Sequence, residues 1–254
     1  MRLASWEASS LEDAWFQGIY KILDEGREFV IDKGSYAGQK RLEFDYLTAH
    51  ITQPWIRPLA PQMPEGLNIP PPTTEEYIHE YMPYLMTDHK AENEDYTYGE
   101  RFVAPKIRMW ENEKRELYWE KTEDYTKERI IQIGPSSIDS IIKTYKDHGP
   151  RNNQMILQCG MSSDILLDDP PCLRHIDTRI QDNYLHFMIY FRSWDLWNGF
   201  PVNLGGIQLL KEYMASEIGV KDGEMIVSSK GLHLYDYVVE LAEMRCQKQA
   251  KNRI

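Results

Sequence analysis

Leu173-Arg174-His175-Ile176-Asp177-Thr178-Arg179-Ile180 is followed by Gln181-Asp182-Asn183 and then by Tyr184-Leu185-His186-Phe187-Met188-Ile189-Tyr190-Phe191. Two runs rich in β-branched and aromatic residues flank a short polar trio, the pattern of an antiparallel hairpin. In the second run Leu185, Phe187, Ile189 and Phe191 fall on one face at a period of two, which marks that face as buried. Upstream, Met155–Cys159 reads as a short apolar strand. Downstream, Asn203-Leu204-Gly205-Gly206 opens a helix to about Glu217, Glu224–Ser229 reads as a strand, and a last helix covers roughly 233–248. The class expected is α+β: a mainly antiparallel sheet with helices packed on one face.

The N-terminal half is less regular. Ser9-Ser10-Leu11-Glu12 has the form of a capping box, and Leu11, Trp15, Ile19 and Ile22 recur at helical spacing, so a helix is expected over about 10–25. Leu42 to Ile51 reads as one strand. Residues 54–72 hold seven prolines and suit a loop or an extended spacer. Thr73-Thr74-Glu75-Glu76 caps a helix running to about Met86, and Ser136 and Ser137 cap another that carries Ile138, Ile141, Ile142 and Tyr145. The stretch 108–130 is charge-rich with aromatic punctuation and yields no assignment.

Composition narrows the function. With 254 residues and 42% hydrophobic content, the chain suffices for one sizeable core. A net charge of −11 argues against wrapping a nucleic acid backbone, which calls for clustered Lys and Arg. It leaves room for a small anion held by a few local cations. No window approaches the roughly 18 apolar residues of a membrane span. The first residues lack the apolar run of a signal peptide. Cys159, Cys172 and Cys246 are odd in number and lack CxxC spacing, so neither a disulfide framework nor a metal site is expected. The expected compartment is a reducing cytoplasm.

The chemistry gathers between Pro170-Pro171-Cys172 and Phe191-Arg192-Ser193-Trp194-Asp195-Leu196-Trp197-Asn198-Gly199-Phe200-Pro201-Val202-Asn203. Most cysteines are small buried hydrophobes. Cys172 differs because two prolines fix the backbone before it and Arg192, ending the neighbouring strand, can lower a thiol pKa. Arg192 with Ser193 offers a fork and a hydroxyl suited to phosphate; a surface arginine at a strand end is the plainer alternative. Asp195 is either a solvated turn residue or a ligand contact, and Trp194 and Trp197 read as packing residues. Asn203 alone reads as a helix N-cap, yet its carboxamide also matches the N3–H and O4 of a uracil. His233 and Tyr235 form either a satisfied pair at a helix start or a grip on a sugar hydroxyl. Glu80, in Ile78-His79-Glu80, is most simply a solvated helix residue.

Taken in order, the Pro-Cys pair, Arg-Ser-x-Asp, Gly-x-Pro-x-Asn and His-x-Tyr resemble the thymidylate synthase family, which includes the pyrimidine-nucleotide hydroxymethylases. The likeness runs from about Met155 to Tyr235 and is nearest to the short archaeal-type members. Tyr96-Thr97-Tyr98-Gly99 adds a weaker match. The resemblance implies one domain over 1–254, with a variable part over 1–130 and a catalytic part over 131–254. It implies that Cys172 adds to C6 of the pyrimidine of a nucleoside monophosphate, and that C5 then takes a one-carbon unit from 5,10-methylenetetrahydrofolate or a related modified pterin. It assigns the phosphate to Arg192 and Ser193, the base edge to Asn203, the sugar hydroxyl to His233 and Tyr235, the pterin to Asp195 and proton-transfer water to Glu80. It also implies a homodimer formed back to back through the sheet, with Tyr184, His186, Met188 and Tyr190 as the candidate face.

The chain departs from the family pattern in places. Leu173 stands where a histidine usually follows the nucleophile, and Asn153-Gln154 where an arginine pair crosses the dimer to the phosphate. No tryptophan lies between Trp55 and Trp110, where longer synthases shield the folate. A less shielded site admits water to the exocyclic methylene intermediate, so a 5-hydroxymethylase on dUMP, dCMP or CMP is the alternative expectation. A non-catalytic nucleotide- or RNA-binding homologue on the same fold is a third.

Overall fold

The computed structural model describes residues 1–32, 36–92 and 94–251. Leu173–Gln181 and Tyr184–Phe191 pair antiparallel about Asp182 and Asn183, whose φ values of 51° and 66° are those of a two-residue hairpin turn that matches strand twist. In chain order the elements are β1 (Leu3–Ala8), α1 (Leu11–Glu25), β2 (Arg27–Val30), β3 (Lys40–Glu43) and β4 (Tyr46–Ile51). Then come α2 (Glu75–Tyr84), α3 (Tyr98–Val103), β5 (Lys106–Glu111), β6 (Leu117–Tyr118), β7 (Lys127–Gln132), α4 (Ser137–His148) and β8 (Ile156–Gln158). After a 3-10 turn at Ser162–Leu166 follow the hairpin strands β9 and β10 already bounded above, β11 (Trp194–Asp195), α5 (Gly199–Ile218), β12 (Lys221–Ser229), β13 (Leu232–Tyr235) and α6 (Asp236–Cys246).

The largest sheet runs β1-β4-β12-β10-β9-β8. Three of its junctions are antiparallel; β1 with β4 and β10 with β12 are parallel. A parallel neighbour demands a crossover, and α5 supplies it between β10 and β12. Leu185, Phe187, Ile189 and Phe191 are buried as their alternation implies, under the side on which α1 and α5 pack. The opposite face carries Tyr184, His186, Met188 and Tyr190, all half-buried, beside Ile226, which is 41% exposed. No helix among the described residues is long and apolar enough to cross a membrane.

Several boundaries differ from the expectation. Leu42–Ile51 is two strands that part at Phe44-Asp45 and enter different sheets. The Asp45 carboxylate bonds Arg27 and accepts from the Arg2 backbone N–H at 2.6 Å, which fixes the corner. Residues 106–132 form a three-stranded sheet, β6-β5-β7. Its cross-strand pairs Arg108–Glu128 at 2.8 Å and Arg129–Glu111 at 3.0 Å are ionic, so no apolar alternation marks it. The helix expected to reach Met86 ends at Tyr84. The last helix begins at Asp236 rather than 233, because Leu232 and Leu234 bury on β13 opposite β3. α5 begins at Gly199, four residues before the expected start.

Candidate active site

Cys172 sits at the open end of the hairpin. The Arg192 backbone N–H donates to the Cys172 carbonyl at 2.8 Å and so brings the arginine beside the thiol. The guanidinium is held there by two carbonyls and a carboxylate: Nε donates to the Pro170 carbonyl at 3.1 Å and the Pro171 carbonyl at 3.2 Å, and Nη2 donates to the Pro170 carbonyl and, at 3.1 Å, to Asp169 Oδ1. The two prolines thus supply acceptors on a rigid backbone that offers no competing N–H. Burial pushes the Cys172 thiol up, and the Arg192 charge works against it. Cys159 is fully buried and burial raises its thiol to about 12. Cys246 is raised to about 11, again by burial. Ser193, next in sequence, is half-buried.

Behind this loop lies an ion cluster that sequence reading missed. Asp164 accepts from Arg101 at 2.9 Å and from Arg174 at 3.0 Å. Arg174 also reaches the Pro171 carbonyl at 3.3 Å. Arg101 and Asp164 are both buried, so the pair is rigid and braces the segment before Cys172. Nothing in the sequence separates these residues from the many solvated charges around them.

Tyr77, Tyr81, Tyr84, Tyr96 and Tyr98 wall a cavity of about 720 Å³ that Glu80, Asp169 and Asn203 also line. The Tyr98 hydroxyl accepts from the Leu173 backbone N–H at 3.3 Å, which ties this wall to the residue after Cys172. Burial raises the Tyr96 and Tyr98 hydroxyls, with smaller contributions from Cys172 at Tyr96 and from Tyr81 and then Cys172 at Tyr98. Burial lifts the Tyr84 hydroxyl to about 12.

The wall owes its position to two glycines. A methyl on Gly205 would stand 2.8 Å from Ile78 side-chain carbons, and one on Gly206 would overlap the Tyr81 ring. Their absence lets α2 lie close on α5, with Glu80 and Tyr81 turned to the cavity. Asn203 is therefore an interior residue of α5. The N-cap position belongs to Asn198, so the capping role weighed for Asn203 is set aside. Instead Asn203 Oδ1 accepts from Trp194 Nε1–H at 3.0 Å, and its Nδ2 donates to the Tyr81 hydroxyl at 2.9 Å.

Asp195, His233 and Tyr235 lie on the smaller sheet β11-β13-β3-β2, with Asp195 in register with His233. Asp195 accepts from the Trp197 backbone N–H at 2.9 Å and the Asn198 amide at 3.3 Å, yet burial still holds its carboxyl above the usual range. His233 is 2% exposed. Its Nδ1 lies 2.8 Å from the Gly231 carbonyl, which only an N–H can satisfy, and burial pushes the ring down to about 4, so it is neutral. His233 Nε2 has no hydrogen-bond partner. Tyr235 meets the His233 ring edge-on at 4.6 Å. Glu80 and Asn203 line the cavity; Cys172 and Arg192 stand behind its wall, joined to it through the Asp169–Arg192 and Tyr98–Leu173 bonds. Asp195 adjoins it through the Trp194–Asn203 bond, while His233 is closed off from solvent.

Residues 90–253 match the family model described as thymidylate synthase. Over its length the chain is similar to proteins named "Putative thymidylate synthase". That of Methanosarcina barkeri is 28% identical over 238 residues, 93% of this chain and 91% of the other. That of Methanosarcina acetivorans is 28% identical over 236 residues with the same shares. That of Methanothermobacter thermautotrophicus is 23% identical over 248 residues, 94% of this chain and 96% of the other.

Proposed function

Because the chain belongs to the thymidylate synthase family, we propose that it is a one-carbon transferase that converts dUMP to dTMP by covalent catalysis at Cys172. The observation that carries the reading is the half-buried thiol beside a guanidinium held on rigid proline carbonyls. Adding a thiolate to C6 of the pyrimidine makes C5 carbanion-like, which is the activation that C5 alkylation needs.

Each residue then has a task. Arg192 and Ser193 hold the nucleotide phosphate, which displaces the exposed Asp169 carboxylate from the guanidinium. Asn203 reads the base edge. Of the two residues expected at the sugar hydroxyl, half-buried Tyr235 holds it, while His233, closed off from solvent, backs the Tyr235 ring edge-on. Glu80, open to the cavity, orders the water that moves protons to and from the ring. Flat tyrosine walls and a volume of about 720 Å³ suit a base stacked on a pterin, with Asp195 as acceptor for the pterin's amino edge. When bound, 5,10-methylenetetrahydrofolate or a related modified pterin supplies the one-carbon unit and, for a methyl product, the hydride. The single domain 1–254 divides in this reading into a variable part over 1–130 and a catalytic part over 131–254.

The protein acts as a homodimer through the half-buried face of β9, β10 and β12, in the cytoplasm, where its three free thiols remain reduced. The test is release of the C5 hydrogen from dUMP in the presence of the methylene donor. Cys172→Ala is expected to abolish release while leaving dUMP binding; retained release excludes the mechanism. A second reading, 5-hydroxymethylation, is favoured by the exposed Tyr77 on the cavity wall, which leaves a path for water. Oxygen from labelled water in the product identifies it.

A further inference from the structure

Asn203 is held by two partners of different chemistry. The Tyr81 hydroxyl accepts from its amide nitrogen, and a hydroxyl serves equally as donor if the amide turns over. The Trp194 indole N–H, 3.0 Å from the carboxamide oxygen, can only donate. Turning the amide would set its NH2 against the indole N–H and leave that N–H, on a residue 2% exposed, without an acceptor.

Trp194 cannot give way. It is 2% exposed, stacked on Phe191 with centroids 4.0 Å apart and planes at 6°, and packed on Phe200 at 4.5 Å. Its backbone N–H is tied to the Gly231 carbonyl at 3.2 Å. The carboxamide therefore has one orientation. Of its two N–H groups and two acceptor sites, Tyr81 and Trp194 take one each, which leaves one donor and one acceptor for a ligand in the cavity that Asn203 lines.

Uracil presents a donor at N3 and an acceptor at O4. Cytosine presents an acceptor at N3 and a donor at N4. A ring anchored at C6 and at its phosphate brings both edges to the same place with opposite polarity. An amide free to turn serves both bases, and an amide held one way serves one of them.

We propose that Trp194 is a specificity-determining positioning residue, whose indole N–H pins the Asn203 carboxamide so that the site takes uracil nucleotides and rejects cytosine nucleotides. The proposal rests on the reading of the cavity as a pyrimidine-nucleotide site, and its test separates the two. Calorimetric titration of the wild-type protein, Trp194→Phe and Tyr81→Phe with dUMP and with dCMP gives the ratio of dissociation constants. Wild type is expected to prefer dUMP. Trp194→Phe keeps an aromatic ring between Phe191 and Phe200 but loses the donor, and is expected to reduce the preference by about tenfold or more, chiefly by tighter dCMP binding. Tyr81→Phe is expected to keep the preference within about twofold, since a hydroxyl fits either orientation.

An unchanged ratio in Trp194→Phe, or an equal collapse in Tyr81→Phe, overturns the proposal. Binding of neither nucleotide by wild type overturns the nucleotide reading itself. Should Trp194→Phe fail to fold, the wild-type indole N–H followed by NMR decides: protection from exchange that persists on adding dUMP is expected, and exchange at the solvent rate contradicts the pin.

Discussion

At the scale of single residues the account turns on which groups are charged. Cys172 is raised by burial, and the Arg192 charge holds the rise in check. Removing a positive charge destabilises the thiolate, so Arg192→Ala should move the thiol higher still. The pH dependence of Cys172 alkylation, read by peptide mass spectrometry without nucleotide, measures this directly. The inflection is expected above the ordinary cysteine value in wild type and further alkaline in Arg192→Ala; a shift toward acid contradicts the assignment. His233 makes the opposite kind of prediction. Its folded-state value of about 4 lies below the ordinary 6.5, so the unfolded chain binds more protons across that window. Stability is full above pH 6.5 and is lost as pH falls toward about 4, by about 3 kcal/mol from this residue alone. Urea unfolding of His233→Gln across the window should lose that slope, while an unchanged slope would show that His233 does not titrate as a buried neutral ring. Cys172, Arg192 and Asn203 stood out in the sequence as candidates because of their distinctive neighbours between residues 170 and 203. Arg101, Asp164 and Arg174 did not, because a buried ion cluster and a solvated charge have the same letters. The polarity of Asn203 was equally hidden, since Trp194 read only as a packing residue.

At the scale of elements, the meeting of α2 with α5 places the cavity wall. A side chain at Gly206 would strike the Tyr81 ring and one at Gly205 would crowd Ile78. Gly206→Ala is thus expected to push α2 outward, costing about 1–3 kcal/mol of stability and most of the nucleotide affinity, because Glu80 and Tyr81 move together. Thermal melts and dUMP titration check this, and wild-type affinity in Gly206→Ala would show that the close approach is dispensable. The hairpin, α1 and α4 were readable from period and caps. Short strands were not: β11 and β13 offer too few residues to establish a period, and β5–β7 are paired by charges on exposed faces. A strand that turns a corner, as at Phe44-Asp45, keeps its β composition through the break and so reads as one.

At the scale of the whole molecule, one face of the six-stranded sheet is covered by helices and the other is apolar at half-buried Met188 and exposed Ile226, which are neighbours across β10 and β12. In the homodimer we propose, this face is the seam. Ile226→Asp places an unpaired carboxylate there, whose burial is costly, and sedimentation should find a monomer where wild type is a dimer; a wild-type monomer would refute the seam. The central claim is tested most directly by incubating the protein with dUMP and 5,10-methylenetetrahydrofolate in isotopically labelled water and weighing the nucleotide product. The account predicts dTMP, formed by wild type, absent with Cys172→Ala, and free of oxygen from the solvent. A nucleotide unaltered at C5, or product formed equally by Cys172→Ala, would contradict it.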